Sequence, residues 1–196
     1  MLQNKATIRE QLLRAALAIA VTDGVEAVTT RVVCAAVGVQ APTLYHHYGD
    51  RAGLISALVD RAFDEYFSQK DASALDELEP AAAIAAGWDA HVAFARTHPG
   101  LYPAMYPVAG PQSPNLERGA ALLRAGFDRL ERDGALAEGI SARLADAALR
   151  AALRGVAHMV AAAPENPDNP QVSSTVRDAV IARLINKNLK EGTTHD

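Results

Sequence analysis

Residues 40–50, QAPTLYHHYGD, gather most of the chemically capable side chains found near one another in an otherwise alanine-rich chain. Two adjacent histidines invite a metal or an acid–base reading. Neighbours on a helix point about 100° apart, so His46 and His47 do not converge on one ion. No nearby cysteine or acidic pair completes a coordination sphere. Thr43, Tyr45, His46 and His47 instead form a row of hydrogen-bonding groups. A second set lies further on. Trp88, His91, Ala95 and His98 share a helical face at spacings of 3 and 4. That face is either ordinary core or one wall of a ligand cavity. Tyr102, Met105 and Tyr106 offer a second wall, and Leu123, Phe127, Leu153 and His158 offer more.

The elements that must position these groups are helices. Alanine dominates, β-branched runs are short, and Asp23-Gly24 and Asp133-Gly134 follow helical patterns rather than strands. An all-α fold is expected. Residues 7–22 predict a first helix, with Ile8, Leu12, Ala15 and Ile19 as its apolar face and Thr7 and Glu10 at capping-box spacing. Thr29 caps a second helix over about 30–37, and Gly38-Val39 forces a turn. Pro42 lies in the first turn of a third, where its missing N–H costs nothing. There Leu44 and Tyr48 face the core, and Thr43, His46 and His47 face outward. Gly49 ends that helix, and Asp50 caps a fourth running to about Ser68. Two short helices across a tight glycine turn make a helix-turn-helix.

Further helices are predicted over about 80–97, 115–133, 141–162 and 172–190. His98-Pro99-Gly100 breaks the first of these, and PENPDNP at 164–170 is a non-helical loop. The tail GTTHD is expected to fray. Residues 144–160 carry Leu144, Ala148, Ala152, Gly155 and small neighbours, which permit close helix approach. Val176, Val180, Ile181, Leu184 and Ile185 make a wide stripe on the last helix. These two helices are either buried within one subunit or docked on a second copy as a four-helix bundle.

The chain has 196 residues, a formal net charge of −4 and one cysteine, Cys34. It is not a basic nucleic-acid coat, although a local donor cluster is enough for DNA. An internal disulfide is excluded, and the expected setting is the cytoplasm. The apolar run AALAIAV at 15–21 is too short to span a bilayer. No nucleophile motif, phosphate loop or metal spacing is present, so an enzyme is not expected, nor a metal or cofactor.

The run VTTRVVCAAVGVQAPTLYHHYGDRAGL at 28–54 resembles the DNA-binding region of the TetR family of bacterial transcriptional regulators, in its tetracycline-repressor pattern. TTR, the GV turn, PTLY, His47 and Leu54 all fall at family spacing, and the likeness covers roughly residues 7–67. The resemblance implies residues 1–50 as a DNA-binding domain, joined by a fourth helix to a larger ligand-binding and dimerisation domain within 51–196. It implies a DNA interface of Thr30, Arg31, Gln40, Ala41, Pro42, Thr43, Tyr45, His46, His47 and Arg51. Of these, Arg31 matches a guanine-reading position, and Pro42, Thr43 and His46 match base-facing ones. Thr30, Tyr45, His47 and Arg51 match phosphate-holding ones. Gln40 stands where a serine cap is frequent, Ala41 where a base-reading side chain is possible, and Ala52-Gly53 where acidic helix formers are usual. The fourth helix is therefore expected to start weakly.

Segment 88–106, WDAHVAFARTHPGLYPAMY, is similar to one C-terminal subgroup of the same family. The implied protein is a homodimeric repressor, released from a palindromic DNA operator by a small, largely apolar effector. Residues 1–51 hold Lys5, Arg9, Arg14, Arg31 and Arg51 against Glu10, Asp23, Glu26 and Asp50, a net charge of only +1. Binding is expected to be specific, with a shallow salt dependence. The rival readings are an enzyme built on the histidines and Tyr102, and a helical small-molecule or protein-binding module without sequence-specific DNA binding.

Overall fold

A computed structural model describes residues 6–68, 78–107 and 114–186. Lys5 and the GTTHD tail lie outside these. Among the described residues the regular structure is helical, as expected. The chain forms two compact units, Met1–Gln69 with His98–Asn115, and Lys70–Thr97 with Leu116–Asp196.

In the first unit, α1 (Ile8–Asp23) begins on the predicted capping box. Thr7 Oγ1 accepts the Glu10 N–H at 3.3 Å, and the Glu10 carboxylate accepts the Thr7 N–H at 3.0 Å. Its buried stripe is Leu12, Ala16 and Ala20, not the expected Ile8, Ala15 and Ile19. Ile8 is exposed, and Ala15 and Ile19 are half-buried. The reason is proximity. Three further helices, α2 (Thr30–Val37), α3 (Ala41–Tyr48) and α4 (Arg51–Ser68), crowd onto α1. Alanine admits their close approach, and the bulkier isoleucines flank the contact.

Between α1 and α2, Val25–Ala27 forms one 3-10 turn. Thr29 then caps α2, accepting the Val32 N–H at 3.3 Å. Gly38 ends it at φ 76°, ψ 33°. Its N–H reaches Ala35 O at 3.3 Å, and the Val39 N–H reaches Cys34 O at 3.0 Å. This paired return of two N–H groups is a Schellman closure, and it needs the left-handed backbone that glycine tolerates. It allows α3 to follow after two residues.

The start of α4 is firmer than expected. Asp50 Oδ1 accepts the Gly53 N–H at 2.8 Å. A Cβ at Gly53 would run into the Tyr48 carbonyl oxygen, so a side chain is excluded where α4 leaves the end of α3. Leu54, Leu58, Val59, Ala62, Phe63 and Tyr66 of α4 are buried. A four-residue helix, α6 (Tyr102–Met105), packs on α4. Tyr106 meets Phe63 edge-on at 5.5 Å and stacks on Tyr102 at 4.8 Å. Burial, with Tyr106 and Tyr102 adjacent, holds the Tyr66 hydroxyl well above the ordinary tyrosine range.

The second unit contains α5 (Pro80–Thr97), α8 (Ala142–Ala162) and α9 (Asn169–Leu184), which pack on one another. The helix α7 (Pro114–Arg132) adds Phe127 and Leu123 to their shared core. Ser141 caps α8, accepting the Leu144 N–H at 3.3 Å. The last helix begins at Asn169, earlier than predicted, because Pro170 fits the first turn and the loop before it ends there. It also ends earlier, at Leu184. Ile185 is extended, and the Ala137 and Asn186 N–H groups bond Leu184 O and Ala135 O, each at 2.9 Å.

Replacing Gly53 with alanine should lower the thermal midpoint by several degrees, about 1–3 kcal/mol of overpacking. Circular dichroism melting checks this. An unchanged midpoint would show that Tyr48 and Gly53 do not approach as described.

Candidate nucleic-acid interface

The helix α3 has eight residues and one fully buried side chain, Leu44. The remaining polar positions are distributed by helical geometry. Tyr45 keeps 48% of its surface, although an isolated core aromatic would not. His46, Pro42 and Gln40 are exposed, and Ala41, Thr43 and His47 are half-buried. On α2, Arg31 is exposed and Thr30 half-buried. The His46 and His47 rings stand 5.1 Å apart at 65°, edge to face. Thus Arg31, Thr43, Tyr45 and His46 open onto solvent from two helices fixed by one turn.

Cys34 is buried in α2, and its carbonyl oxygen accepts the N–H groups of Gly38 and Val39 at that turn. Burial pushes its thiol above the usual value, which disfavours the thiolate that redox chemistry needs. It acts as a small packing residue beside Val33.

Two polar contacts hold this surface from behind. The Tyr48 hydroxyl donates to Arg9 O at 2.6 Å, tying the end of α3 to the start of α1. The Arg9 guanidinium carbon sits 5.2 Å from the centre of the Tyr48 ring. Burial raises the Tyr48 pKa, against the lowering effect of Arg9. Tyr48 is therefore half-buried with an anchored tip, rather than the plain core residue expected. Arg51 Nε donates to Val28 O at 2.7 Å and its Nη2 to Val25 O at 3.1 Å. Nη2 also lies 3.7 Å from a Glu26 carboxylate oxygen.

Comparison with known proteins decides the identity. Residues 12–58 match the family model of bacterial regulatory proteins of the tetR family. Residues 84–184, more than half the chain, match the tetracyclin repressor-like C-terminal domain. The chain belongs to the TetR family. It is a DNA-binding transcriptional regulator with a helix-turn-helix and a helical C-terminal region.

Solved structures share this TetR-family fold. SmeT, the repressor of the Stenotrophomonas maltophilia multidrug efflux pump SmeDEF, aligns at TM-score 0.72 and 19% identity, covering 97% of this chain and 96% of its own. A protein of unknown function from Rhodococcus sp. RHA1 aligns at 0.73 and 23%, covering 95% and 100%. FadR from Bacillus subtilis, solved with stearoyl-CoA, aligns at 0.72 and 13%, covering 89% and 98%. At these identities the likeness carries the fold alone. No curated protein sequence matches the chain significantly.

In this TetR-family chain the residues expected to line a ligand site are drawn from both units. Tyr102, Met105 and Tyr106 belong to the first unit. Trp88, His91, Leu123, Phe127, Leu153 and His158 belong to the second. Trp88 and Phe127 sit in its core cluster, with Leu123 and Leu153 packed against them. The Trp88 indole donates to Ser173 Oγ at 3.0 Å. His91 is buried, and His158 Nδ1 lies 2.9 Å from Arg154 O.

The Tyr48–Arg9 latch and the Arg51 clamp were not foreseen. The only sequence signal for the first was a tyrosine, not a leucine, at the second core slot of α3. Family resemblance placed Arg51 on a phosphate. Here two of its N–H groups are spent on backbone carbonyls, which leaves others to give. Arg51→Lys keeps the charge but loses the planar fork. It should cost roughly 1–2 kcal/mol of stability, seen as a lower melting temperature. An unchanged melt with weakened DNA binding would assign Arg51 to a phosphate and not to the loop.

Proposed function

We propose that this regulator is a homodimeric repressor that binds a near-palindromic DNA operator through Thr30, Arg31, Gln40–Thr43, Tyr45, His46, His47 and Arg51. One observation carries the reading. The α2–α3 pair turns Arg31, Tyr45 and His46 to solvent, with Thr43 half-buried beside them, while Leu44, Val33 and Cys34 are buried. Arg31 suits a guanine edge, and the Thr43 methyl and Pro42 suit thymine methyls. Tyr45, Thr30 and His47 suit phosphates, which set register. The low local charge fits a specific binder. Among the described residues no helix is long and apolar enough to cross a membrane, in keeping with a cytoplasmic site of action.

A second copy supplies the second half-site. The face of α8 supports this. Leu144, Ala151, Gly155 and Met159 recur at helical spacing and are exposed, and Val172 of α9 is exposed too. A Cβ at Gly155 meets nothing within 4 Å in one protomer. In a four-helix docking such a position lets backbones approach.

We further propose a small, largely apolar effector. It binds best to a conformation whose reading helices are wrongly spaced, and DNA is released for that reason. Trp88, His91, Tyr102, Met105, Tyr106, Leu123, Phe127, Leu153 and His158 are the candidate contacts. That FadR binds an acyl-CoA is consistent with an apolar effector in this fold.

Selection from a randomised duplex pool, with Tyr45→Ala beside the parent, tests DNA binding. An inverted repeat should be enriched by the parent and lost, or weakened at least tenfold, in the variant. A parent that selects no sequence would favour a module without sequence-specific DNA binding. For the dimer, Gly155→Arg should leave helicity intact and convert the protein to monomer in analytical ultracentrifugation. A variant that remains dimeric would move the interface off α8.

A further inference from the structure

We infer that Gln40 reads an adenine in the operator, supplying the base-edge hydrogen bonds that Ala41 cannot; this rests on the DNA-binding reading above. The first residues of a recognition helix are those that reach base edges. In α3 these are Gln40, Ala41 and Pro42, of which Gln40 and Pro42 are exposed and Ala41 is half-buried. A methyl group and a pyrrolidine ring offer a thymine methyl only apolar contact. Gln40 is thus the one hydrogen-bonding side chain among these three.

Its carboxamide is not used by the fold. The three other long helices of this unit that pack with α3 are begun by side-chain bonds. Thr7 caps α1, Thr29 caps α2, and Asp50 accepts the Gly53 N–H of α4. At α3 the N-cap residue Gln40 makes no side-chain cap bond, and only its backbone carbonyl accepts, from the Thr43 N–H at 2.9 Å. Glutamine is a poor cap. The helix that faces DNA is thus begun by a residue whose amide stays at the surface. A carboxamide presents a donor and an acceptor in one plane, matching N7 and N6–H of adenine in the major groove. Arg31 and Gln40 together give each half-site a guanine reader and an adenine reader.

The test is pool selection by the full-length parent, Gln40→Ala, Gln40→Ser and Gln40→Arg, followed by titration of each on the parent's best duplex. Serine is the control for helix fraying, since it can cap α3 but cannot reach the base. The parent should enrich an inverted repeat with one adenine position per half-site that both short variants lose, all other positions being kept. Their affinity for the adenine site should fall about tenfold or more per half-site. Gln40→Arg should shift that position towards guanine. Variants that keep the adenine preference would overturn the assignment. So would Gln40→Ser matching the parent while Gln40→Ala fails, which would make Gln40 a helix-start residue only. A parent that enriches nothing would overturn the operator reading itself, and this inference with it.

Discussion

Helix α3, the proposed reading helix, cannot stand by itself. It has eight residues, and isolated helices of that length are not stable in water. One fully buried side chain, Leu44, anchors it. Every other constraint on its position comes from neighbours. The Schellman closure at Gly38 fixes where it begins, and the approach of Gly53 to the Tyr48 carbonyl fixes where it ends. The alanine stripe of α1 sets how close the surrounding helices lie. The small residues that make this composition look bland are therefore what gives the reading surface a single shape.

Polar side chains in this unit divide by what they hold. Tyr48 and Arg51 are turned onto backbone carbonyls, across 39 and 23 residues of sequence for their shortest bonds. Such bonds order the backbone that carries Thr30 and Arg31. Tyr45, His46, Arg31 and Gln40 are left outward. A surface with local net charge near +1 has little general attraction for phosphates. Its discrimination must come from geometry. That gives the inward group its importance, since hydrogen bonds to base edges lose value steeply with angle and distance.

Much of this was legible in the residues. Helix starts followed from caps, as Thr7-Glu10, Thr29 and Asp50 show, because capping is local chemistry. The helix-turn-helix followed from a glycine between two short periodic segments. The buried face of α1 did not, because burial of Ala16 and Ala20 over Ile19 depends on where three other helices come to rest. The end of α9 was misjudged for a similar reason. Ile185 continues an apolar stripe, yet the backbone of Ala135 and Ala137 draws residues 185–186 out of the helix. Arg51 shows a third kind of limit. A family position suggests a partner outside the protein, and only coordinates show that the same guanidinium also serves the fold. Gly53 was read as a weakness of propensity, whereas a contact excludes any side chain there.

The two units pose the same problem at different scales. In the first, few outward groups and little charge make one copy a weak reader. Joining two reading surfaces multiplies affinity without new kinds of contact. In the second unit, α8 buries Ala145, Leu149, Val156 and Val160 inside its own core, yet leaves Leu144, Ala151, Gly155 and Met159 uncovered. An exposed leucine alone means nothing. An exposed helical stripe that joins large apolar residues to glycine and alanine is different, because it gains most by packing against a like surface. The deficit of the first unit and the surplus of the second would both be met by one event, the proposed association of two copies. Selection would then act on both surfaces together.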